Sequence, residues 1–387
     1  MNTEPQRWAW VDVDLDAVRH NVELLRSIVA PSEVWAVVKA DGYGHGAIEV
    51  ARAVLDAGAA GLCVALVQEG AELRRHGIVA PILVLSEQPP EQAGAIVDHD
   101  LTPTVYTTTF IDVLADAVIA AGGSDRGVHV KVDTGMQRVG ARPDDVAALV
   151  ERVARWSPTL MLGGVFTHLA VADEPADAFT AVQLQRFDAV LADLGIAGMG
   201  GDVLVHAANS AGALAHADAR RSFVRAGIAV YGISPGHGVD DLCAGLRPAL
   251  SLRSRVSFVK PVRAGTRISY GLQHTFERDT TVATVPIGYA DGVPRRLSST
   301  GGEVLIGGRR RPIVGVVTMD QLMVDCGPAG EVTVGDEAVL IGEQDGPDGP
   351  QRVRAEEWAD RLGTIGYEIV CGIGTRVPRR PGRNIGS

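Results

Sequence analysis

Residues 37–46 read Val-Val-Lys-Ala-Asp-Gly-Tyr-Gly-His-Gly, so a run of strand-forming residues ends on a lysine. The apolar run begins at Val34, and Lys39 stands where a buried strand meets a glycine-rich turn. Three glycines in five positions allow the backbone to turn sharply and to approach a ligand closely. A lysine amine at a strand end can form Schiff bases with aldehydes. The alternative is a surface lysine at a strand edge followed by an ordinary turn.

The composition limits the classes of protein to which the chain can belong. Its 387 residues, 46% apolar and 21% charged, are enough for two domains with sizeable cores. The net charge of −11 argues against nucleic acid as a partner, because phosphate binding needs a basic surface. No apolar run reaches the roughly 18–20 residues of a membrane span, and residues 1–7 lack a signal-peptide pattern. The four scattered cysteines predict no metal site and a reduced, cytoplasmic protein.

Short Val/Ile/Leu-rich runs alternate with segments of helical periodicity in the first part of the chain. Eight strands are predicted at residues 34–38, 61–65, 81–85, 102–106, 128–132, 160–166, 203–206 and 222–225. Helices are predicted between them at residues 47–57, 67–76, 91–98, 110–121, 144–155 and 176–194. Eight strands with helical spacers favour a (β/α)8 barrel. An open doubly wound sheet usually has fewer strands and a phosphate-binding glycine turn after its first strand.

Polar residues collect where the predicted strands end. In a (β/α)8 barrel the chemistry lies at the C-terminal ends of the strands. A random scatter of polar residues would not collect there so consistently. The residues concerned are, in chain order, Lys39, Lys131, His168, Asn209, Ser210 and Arg225.

The pattern changes after about Ser234. Residues 236–246 read as a linker, and the strands that follow are separated by Gly and Pro turns, which is typical of an antiparallel β domain. We therefore predict a TIM-like barrel over residues 1–243 and a mostly antiparallel β domain over residues 244–387. The tail from Arg376 carries four arginines among Pro and Gly and is expected to be a solvated end. In the β domain, strands are predicted at residues 251–259, 280–287, 303–306, 312–317, 322–325 and 337–341, with a helix at 355–362.

Taken together, these segments resemble the alanine racemases, which are fold-type III pyridoxal-phosphate enzymes. The resemblance extends from Trp10 to Glu368, and the order and spacing of its segments make it specific although each segment alone is weak. It implies pyridoxal 5'-phosphate as cofactor and the interconversion of L-alanine and D-alanine, supplying D-alanine for peptidoglycan. The segments are residues 37–46, 131–138, 167–168, 208–210, 225–232, 269–271, 288–292 and 319–321.

The resemblance also implies roles for individual residues. Lys39 would bind the cofactor covalently, and Lys39 and Tyr270 would be the two catalytic bases on opposite faces of the substrate. Inversion through a planar carbanion needs a proton acceptor on one side and a donor on the other. Arg225 would face the pyridine nitrogen and keep it unprotonated, because an arginine does not give up its proton. The other cofactor contacts implied are Tyr43, His168, Asn209, Ser210, Tyr367 and the backbone N–H groups of Gly227 and Ile228.

The substrate carboxylate is implied to bind Arg138 and the backbone N–H of Met319. Lys131 matches a lysine that is often carbamylated in the family, which would give a carboxylate that orients Arg138. The alternative is a plain Lys131 paired with Asp133. The remaining residues implied around this site are Asp320, as a supporting residue, and Tyr289 and Tyr367 at the entrance.

Lys39 and Tyr270 lie in different predicted domains, and the family arrangement implies a homodimer whose active sites are shared between subunits. A racemase of another amino acid such as serine, lysine or ornithine would use the same chemistry and stays open as an alternative. A fold-type III decarboxylase is disfavoured because those enzymes conventionally protonate the ring nitrogen with an acidic residue, where Arg225 stands here. A non-catalytic pyridoxal-phosphate-binding protein built on the barrel alone is disfavoured by the β domain and Tyr270.

Overall fold

The computed structural model describes residues 7–196, 203–327 and 331–381, and the chain divides into two compact units. One comprises residues 16–247, and the other comprises residues 1–15 together with 248–387. The predicted division into 1–243 and 244–387 differs at the N-terminus, because strand β1 (Ala9–Val13) pairs antiparallel with Leu250–Arg255. At the other boundary, the buried Asn21 side chain accepts the N–H of Arg247 and donates to the carbonyls of Arg247 and Val230.

The unit of residues 16–247 is the predicted parallel barrel. Its strands fall into two groups with the orders β4-β3-β2-β9 and β5-β6-β7-β8. Thr102 joins β4 to β5 by exchanging backbone hydrogen bonds with Ile82 and Val84, and the N–H of Ser222 donates to Val205 between β9 and β8, which closes the ring. The strands are β2 (Glu33–Val37), β3 (Gly61–Val64), β4 (Ile82–Val84), β5 (Thr104–Val105), β6 (Arg126–Lys131), β7 (Leu160–Phe166), β8 (Leu204–His206) and β9 (Phe223–Ala226).

All six predicted helices of this unit are present, with ends shifted by a few residues. Two further helices are not among the predicted ones. Helix α1 (Leu15–Val29) has a buried stripe of Val18, Val22, Leu25 and Val29 with helical spacing, whereas α8 (Ser210–Ala215) is too short to show a period. The predicted linker 236–246 contains a 3-10 helix, His237–Cys243. None of the described helices combines the length and apolarity needed to cross a membrane. The helices are α1 (Leu15–Val29), α2 (Ala47–Asp56), α3 (Val67–Arg75), α4 (Ala93–Asp98), α5 (Thr108–Ala120), α6 (Val146–Arg155), α7 (Phe179–Asp193) and α8 (Ser210–Ala215).

The other unit is mostly antiparallel, as predicted, and its main sheet has the order β11-β14-β17-β16-β15-β18-β10-β1-β20. The single strand predicted at 251–259 is two strands, because the backbone changes partner between Val256, which donates to Asp336, and Ser257, which donates to Thr284. The elements after β1 are β10 (Leu250–Arg255), β11 (Phe258–Val262), β12 (Arg267–Ile268), β13 (His274–Thr275), β14 (Thr280–Val285), β15 (Glu303–Ile306), β16 (Arg309–Val314), β17 (Leu322–Asp325), β18 (Glu337–Gln344), β19 (Gln351–Val353), α9 (Ala355–Leu362), α10 (Gly366–Cys371) and β20 (Arg379–Pro381).

The prediction of a solvated C-terminal tail is wrong for residues 379–381, which pair parallel with β1. Arg379 donates to three backbone carbonyls between residues 373 and 377. The Arg380 guanidinium lies 4.9 Å from the ring centroid of Trp10. These arginines therefore pack the tail against its own unit, and the rest of the tail, with Arg383, lies outside the described residues.

We expect Asn21→Ala to lower the free energy of unfolding by about 2–3 kcal/mol, because buried backbone groups of Val230 and Arg247 lose their partner. Urea titration followed by circular dichroism measures this change. Glu23→Ala, on the exposed side of the same helix, is the matched control and should stay within about 0.5 kcal/mol of wild type. Similar effects of both substitutions would contradict this role for Asn21.

Candidate active site

The barrel residues singled out from the sequence gather at the carboxyl ends of its strands. Lys39 follows β2, Lys131 ends β6, His168 follows β7, and Arg225 lies in β9. Strands β2 and β9 are parallel neighbours, with Trp35 opposite Arg225. The buried Cys63 of β3 is close enough to both Arg225 and Lys39 for their charges to act on its thiol, although burial dominates and raises its pKa to about 12.

Lys39 opens a turn of left-handed backbone, Lys39–Tyr43, rather than an ordinary glycine turn. The φ angle is 53° at Ala40, 52° at Asp41, 61° at Gly42 and 51° at Tyr43. Left-handed helical backbone costs about 1–2 kcal/mol for each residue that carries a Cβ. Such strain persists only where the surrounding structure fixes it, and it is concentrated at functional sites.

Contacts from outside the turn fix its shape. The carboxylate of Glu69 accepts the N–H of Ala40 at 2.7 Å, and the N–H of Ala47 donates to the carboxylate of Asp41 at 2.8 Å. At the end of β2, the hydroxyl of the buried Tyr231 donates to the carbonyl of Val37 at 2.9 Å. The sequence pattern predicts no role for either Glu69 or Tyr231. Tyr231 lies in segment 225–232, which carries the resemblance, whereas nothing in the local pattern distinguishes Glu69.

The guanidinium of Arg225 is buried, and all of its hydrogen-bond partners are neutral. Nη1 donates to Nδ1 of His206 at 2.7 Å. Nη2 donates to the carbonyls of Thr167 and Ala207 at 2.8 and 3.0 Å and lies 3.3 Å from Nδ1 of His168. Burial lowers the pKa of Arg225 to about 10, which leaves it protonated at neutral pH. Among the described residues, none of the hydrogen-bond partners of Arg225 is a carboxylate.

Arg225 also sets the state of the surrounding histidines. Burial, and then the charge of Arg225, lowers the pKa values of His168 and His206 well below 6.5 and that of His129 to about 4. A guanidinium only donates, so the neutral His206 accepts at Nδ1 and carries its proton on Nε2. Nε2 of His206 then donates to Nδ1 of His129, and the two nitrogens are 2.9 Å apart. His206 ends the predicted strand 203–206 with a polar side chain, and that position is the signal by which the sequence could identify it.

Lys131 is buried at the end of β6 among positive charges. Burial, followed by the charges of Arg225 and Arg138, lowers the pKa of its amine to about 7. The amine lies 3.3 Å from the carbonyl of Leu85. Asp133 uses a carboxylate oxygen to accept backbone N–H groups of residues 135 and 137. These contacts favour an amine that is partly neutral over the simple pairing of Lys131 with Asp133.

Hydroxyl and backbone groups form a cradle after β9. The hydroxyl of Ser210 accepts the N–H groups of Gly227 and Ala229 at 2.8 and 3.3 Å. A Cβ at Gly227 would lie 2.6 Å from the hydroxyl oxygen of Tyr43, so the close approach requires glycine. Asn209 caps α8 by accepting the N–H of Gly212 at 2.9 Å. The end of the eighth strand is where phosphate groups commonly bind in such barrels.

In the β unit, four of the predicted residues line one groove with a volume of about 560 Å³. Tyr270, Tyr289 and Met319 are exposed there by 72%, 43% and 52%. Tyr367 is half-buried on α10 and is not among the groove residues. The residues of the groove are Tyr270, Tyr289, Arg295, Val317, Thr318, Met319, Asp320 and Gln321.

A buried carboxylate connects the loops that carry Tyr289 and Met319. Asp291 is fully buried, lies 2.5 Å from the guanidinium of Arg7 and accepts the N–H of Gly288 at 3.0 Å. Arg376 contacts Asp291 at 3.5 Å and Asp320 at 2.7 Å. A Cβ at Gly288 would collide with backbone carbonyls of residues 318 and 319. The shape of the groove therefore depends on Asp291 and its arginines, which sequence analysis did not identify.

Comparison with known proteins agrees with this arrangement. The family model "Alanine racemase, N-terminal domain" matches residues 13–235, and "Alanine racemase, C-terminal domain" matches residues 249–381. An alanine racemase from Symbiobacterium thermophilum is 49% identical over 382 residues, which are 98% of each chain.

Solved structures show the same likeness. The alanine racemase from D-cycloserine-producing Streptomyces lavendulae is 39% identical, with a TM-score of 0.89 over 99% of each chain. A histidine racemase from Leuconostoc mesenteroides is 28% identical, with a TM-score of 0.87 over 98% of this chain and 99% of that one. By full-length similarity in sequence and structure, the chain belongs to the alanine racemase family.

Proposed function

We propose that this protein interconverts L-alanine and D-alanine with pyridoxal phosphate bound to Lys39. The observation that carries the proposal is the placing of Lys39 and the buried, charged Arg225 at the carboxyl ends of neighbouring barrel strands in a chain of this family. We further propose that the protein acts in the cytoplasm and that its D-alanine serves peptidoglycan synthesis.

The residues at the barrel end suit pyridoxal phosphate. The close approach of Gly227 to Tyr43, with the Ser210 hydroxyl beside it, makes a polar cradle for the phosphate, to which we add the backbone N–H of Ile228 and the hydroxyl of Tyr367. His168 and Asn209 are assigned to the ring. When bound, the cofactor supplies an electron sink for negative charge at the substrate α carbon.

Arg225 limits how strongly that sink withdraws electrons. Its guanidinium is protonated at neutral pH and only donates hydrogen bonds, so a ring nitrogen facing it stays an unprotonated acceptor. Negative charge at the α carbon would then be less delocalised, and the proton would return to that carbon sooner. Arg225 thereby favours racemisation over transamination.

Two side chains would move the α proton on opposite faces. The Lys39 amine would accept or return the α proton on one face. The Tyr270 hydroxyl acts on the other face. Arg138 and the backbone N–H of Met319 hold the substrate carboxylate and so fix the α carbon between the two groups.

Lys131 would orient Arg138 through carbamylation. An amine must be neutral to add carbon dioxide, and its lowered pKa makes this possible near neutral pH. The nitrogen of the neutral amine forms a bond to the carbon of carbon dioxide while one C–O π bond opens, and one N–H proton is released, so that a carboxylate replaces a neutral amine. That negative charge would attract Arg138 and offset the crowding of positive charges around Arg225.

We propose a homodimer with active sites shared between subunits. Tyr270 and Met319 are exposed by 72% and 52% in the groove of the β unit. Exposed aromatic and apolar side chains concentrated in one groove are typical of a surface that binds another molecule. We assign Tyr270, Tyr289 and Met319 to the active site formed with the partner's barrel, with Asp320 in support.

A racemase of another amino acid is the second candidate function. The similarity to a histidine racemase at 28% identity shows that this architecture is not confined to proteins named for alanine. Serine, lysine, ornithine and histidine are therefore the competing substrates.

The protein supplied with pyridoxal phosphate should interconvert the enantiomers of alanine faster than those of serine, histidine, lysine or ornithine, as measured by chiral chromatography. Borohydride reduction should fix the cofactor to Lys39, one of only three lysines in the chain. Lys39→Ala should fold and lose the adduct, and the exposed Lys260 is the internal control. An adduct on Lys131 or Lys260 would contradict Lys39 as the attachment site. A faster rate with another amino acid would establish the second candidate function.

Mixing two inactive variants tests the shared sites. Lys39→Ala should abolish activity, and Tyr270→Phe should lower it by about 10²–10⁴-fold, as expected for loss of a general base. A heterodimer of the two has one doubly defective site and one intact site. Reassembly of equal amounts should restore up to roughly a quarter of wild-type activity, because half of the dimers are mixed.

Mixing Lys39→Ala with Lys39→Gln is the control, because no intact site can form. Native mass spectrometry of tagged subunits verifies that heterodimers are present. Failure to regain activity despite verified heterodimers would rule out sharing of Lys39 and Tyr270 between subunits.

Carbamylation of Lys131 should depend on pH in a defined direction. With a pKa of about 7, half of the amine is neutral at pH 7, whereas an ordinary lysine is less than about 0.1% neutral there. The carbamate signal after labelling with ¹³C-bicarbonate, measured by NMR, should therefore rise between about pH 6 and pH 8. Lys131→Ala should lose this signal and Lys260→Ala should keep it; a signal that survives in Lys131→Ala would contradict the proposal.

A further inference from the structure

Glu69 takes no part in the chemistry proposed above, yet its carboxylate binds the turn that begins at Lys39. Oε1 accepts the N–H of Ala40 at 2.7 Å. Oε2 accepts the N–H groups of Ala65 and Leu66 at 2.8 and 3.1 Å. One side chain therefore connects the turn after β2 with the turn after β3 and with the first turn of α3.

The bond to Ala40 constrains Lys39 directly. The peptide unit is planar, so the direction of the Ala40 N–H fixes the plane that contains the Lys39 carbonyl, and with it the ψ angle of Lys39. The next residues have positive φ angles of 53° at Ala40 and 52° at Asp41, which an unsupported chain of L residues leaves readily. The carboxylate of Glu69, in the first turn of α3, opposes that relaxation because it accepts the N–H of Ala40.

A carboxylate suits this position better than any other side chain of the same length. Three N–H donors converge on the two oxygens of Glu69. An ionised carboxylate only accepts hydrogen bonds, whereas the amide of glutamine has one accepting oxygen and one donating nitrogen. With glutamine, an NH2 group would have to face at least one of the three N–H groups.

We propose that Glu69 is a positioning residue that holds the left-handed turn in the conformation presenting the Lys39 amine to the aldehyde of pyridoxal phosphate. The inference rests on the proposed function, because it takes Lys39 as the attachment site. Glu69 acts through the backbone of Ala40, because its carboxylate binds backbone N–H groups.

The test is the rate at which apoprotein captures pyridoxal phosphate, which does not depend on turnover. Glu69→Gln should capture the cofactor about 10–100-fold more slowly than wild type, because small displacements of a reacting group have effects of this order. The rate is followed by visible absorbance and by borohydride reduction at timed intervals, with the adduct on Lys39 quantified by mass spectrometry. Glu69→Asp, which keeps both acceptor oxygens on a shorter side chain, should give an intermediate rate.

Two controls separate positioning from a general loss of stability. Thr107→Ala removes the cap of another barrel helix, where the Thr107 hydroxyl accepts the N–H of Phe110 at 3.2 Å. Glu72→Gln makes the same chemical change at an exposed position of α3. The midpoint temperature of thermal unfolding should fall in both Glu69→Gln and Thr107→Ala, whereas only Glu69→Gln should slow the capture of pyridoxal phosphate.

Each outcome decides the inference. Capture at the wild-type rate in Glu69→Gln, or equal slowing in Thr107→Ala, would overturn the positioning role and leave the proposed function intact. A wild-type protein that attaches no cofactor at Lys39 would overturn the proposed function and this inference with it.

Discussion

Burial of the Arg225 guanidinium is the constraint around which the barrel end is organised. A buried charge is costly unless its hydrogen bonds are satisfied, and here the acceptors come from the ends of β7 and β8. None of these partners is a carboxylate, so the positive charge stays uncompensated by its own hydrogen bonds. His168 and His206 must remain neutral to serve as acceptors, and burial together with the charge of Arg225 keeps them so.

The same charge explains the behaviour of the other cations nearby. Lys131 is buried with Arg225, Arg138 and Lys39 close enough to lower the pKa of its amine, whereas the charge of Asp133 raises that pKa. In a protein with a net charge of −11, this end of the barrel is a local concentration of positive charge. Such a site suits ligands that bring negative charge, such as a phosphate or a carboxylate.

Buried ionic contacts also organise the β unit, but there the central buried group is an anion instead of a cation. Asp291 is a fully buried carboxylate, and Arg7 and Arg376 supply the positive charges. Arg376 reaches Asp320 as well, so the loops of Tyr289 and Met319 are connected through one guanidinium. In both units, therefore, a buried charge holds together segments that are far apart in the chain.

Local sequence patterns are enough to predict the eight barrel strands, the antiparallel character of the second unit and the position of Lys39, Lys131 and Arg225 near strand ends, because apolar runs between turn signals specify strands locally. The left-handed backbone of Ala40 and Asp41 depends on the folded chain, because the contacts that hold the turn come from Glu69 and Tyr231. The fold as a whole also determines the strand pairing at both ends of the chain. It determines that β1 joins the β unit and that the tail forms β20, because strand pairing over such separations leaves no local pattern. Local periodicity reports which side of an element is apolar, whereas hydrogen-bond partners far apart in the chain exist only once the fold brings them together.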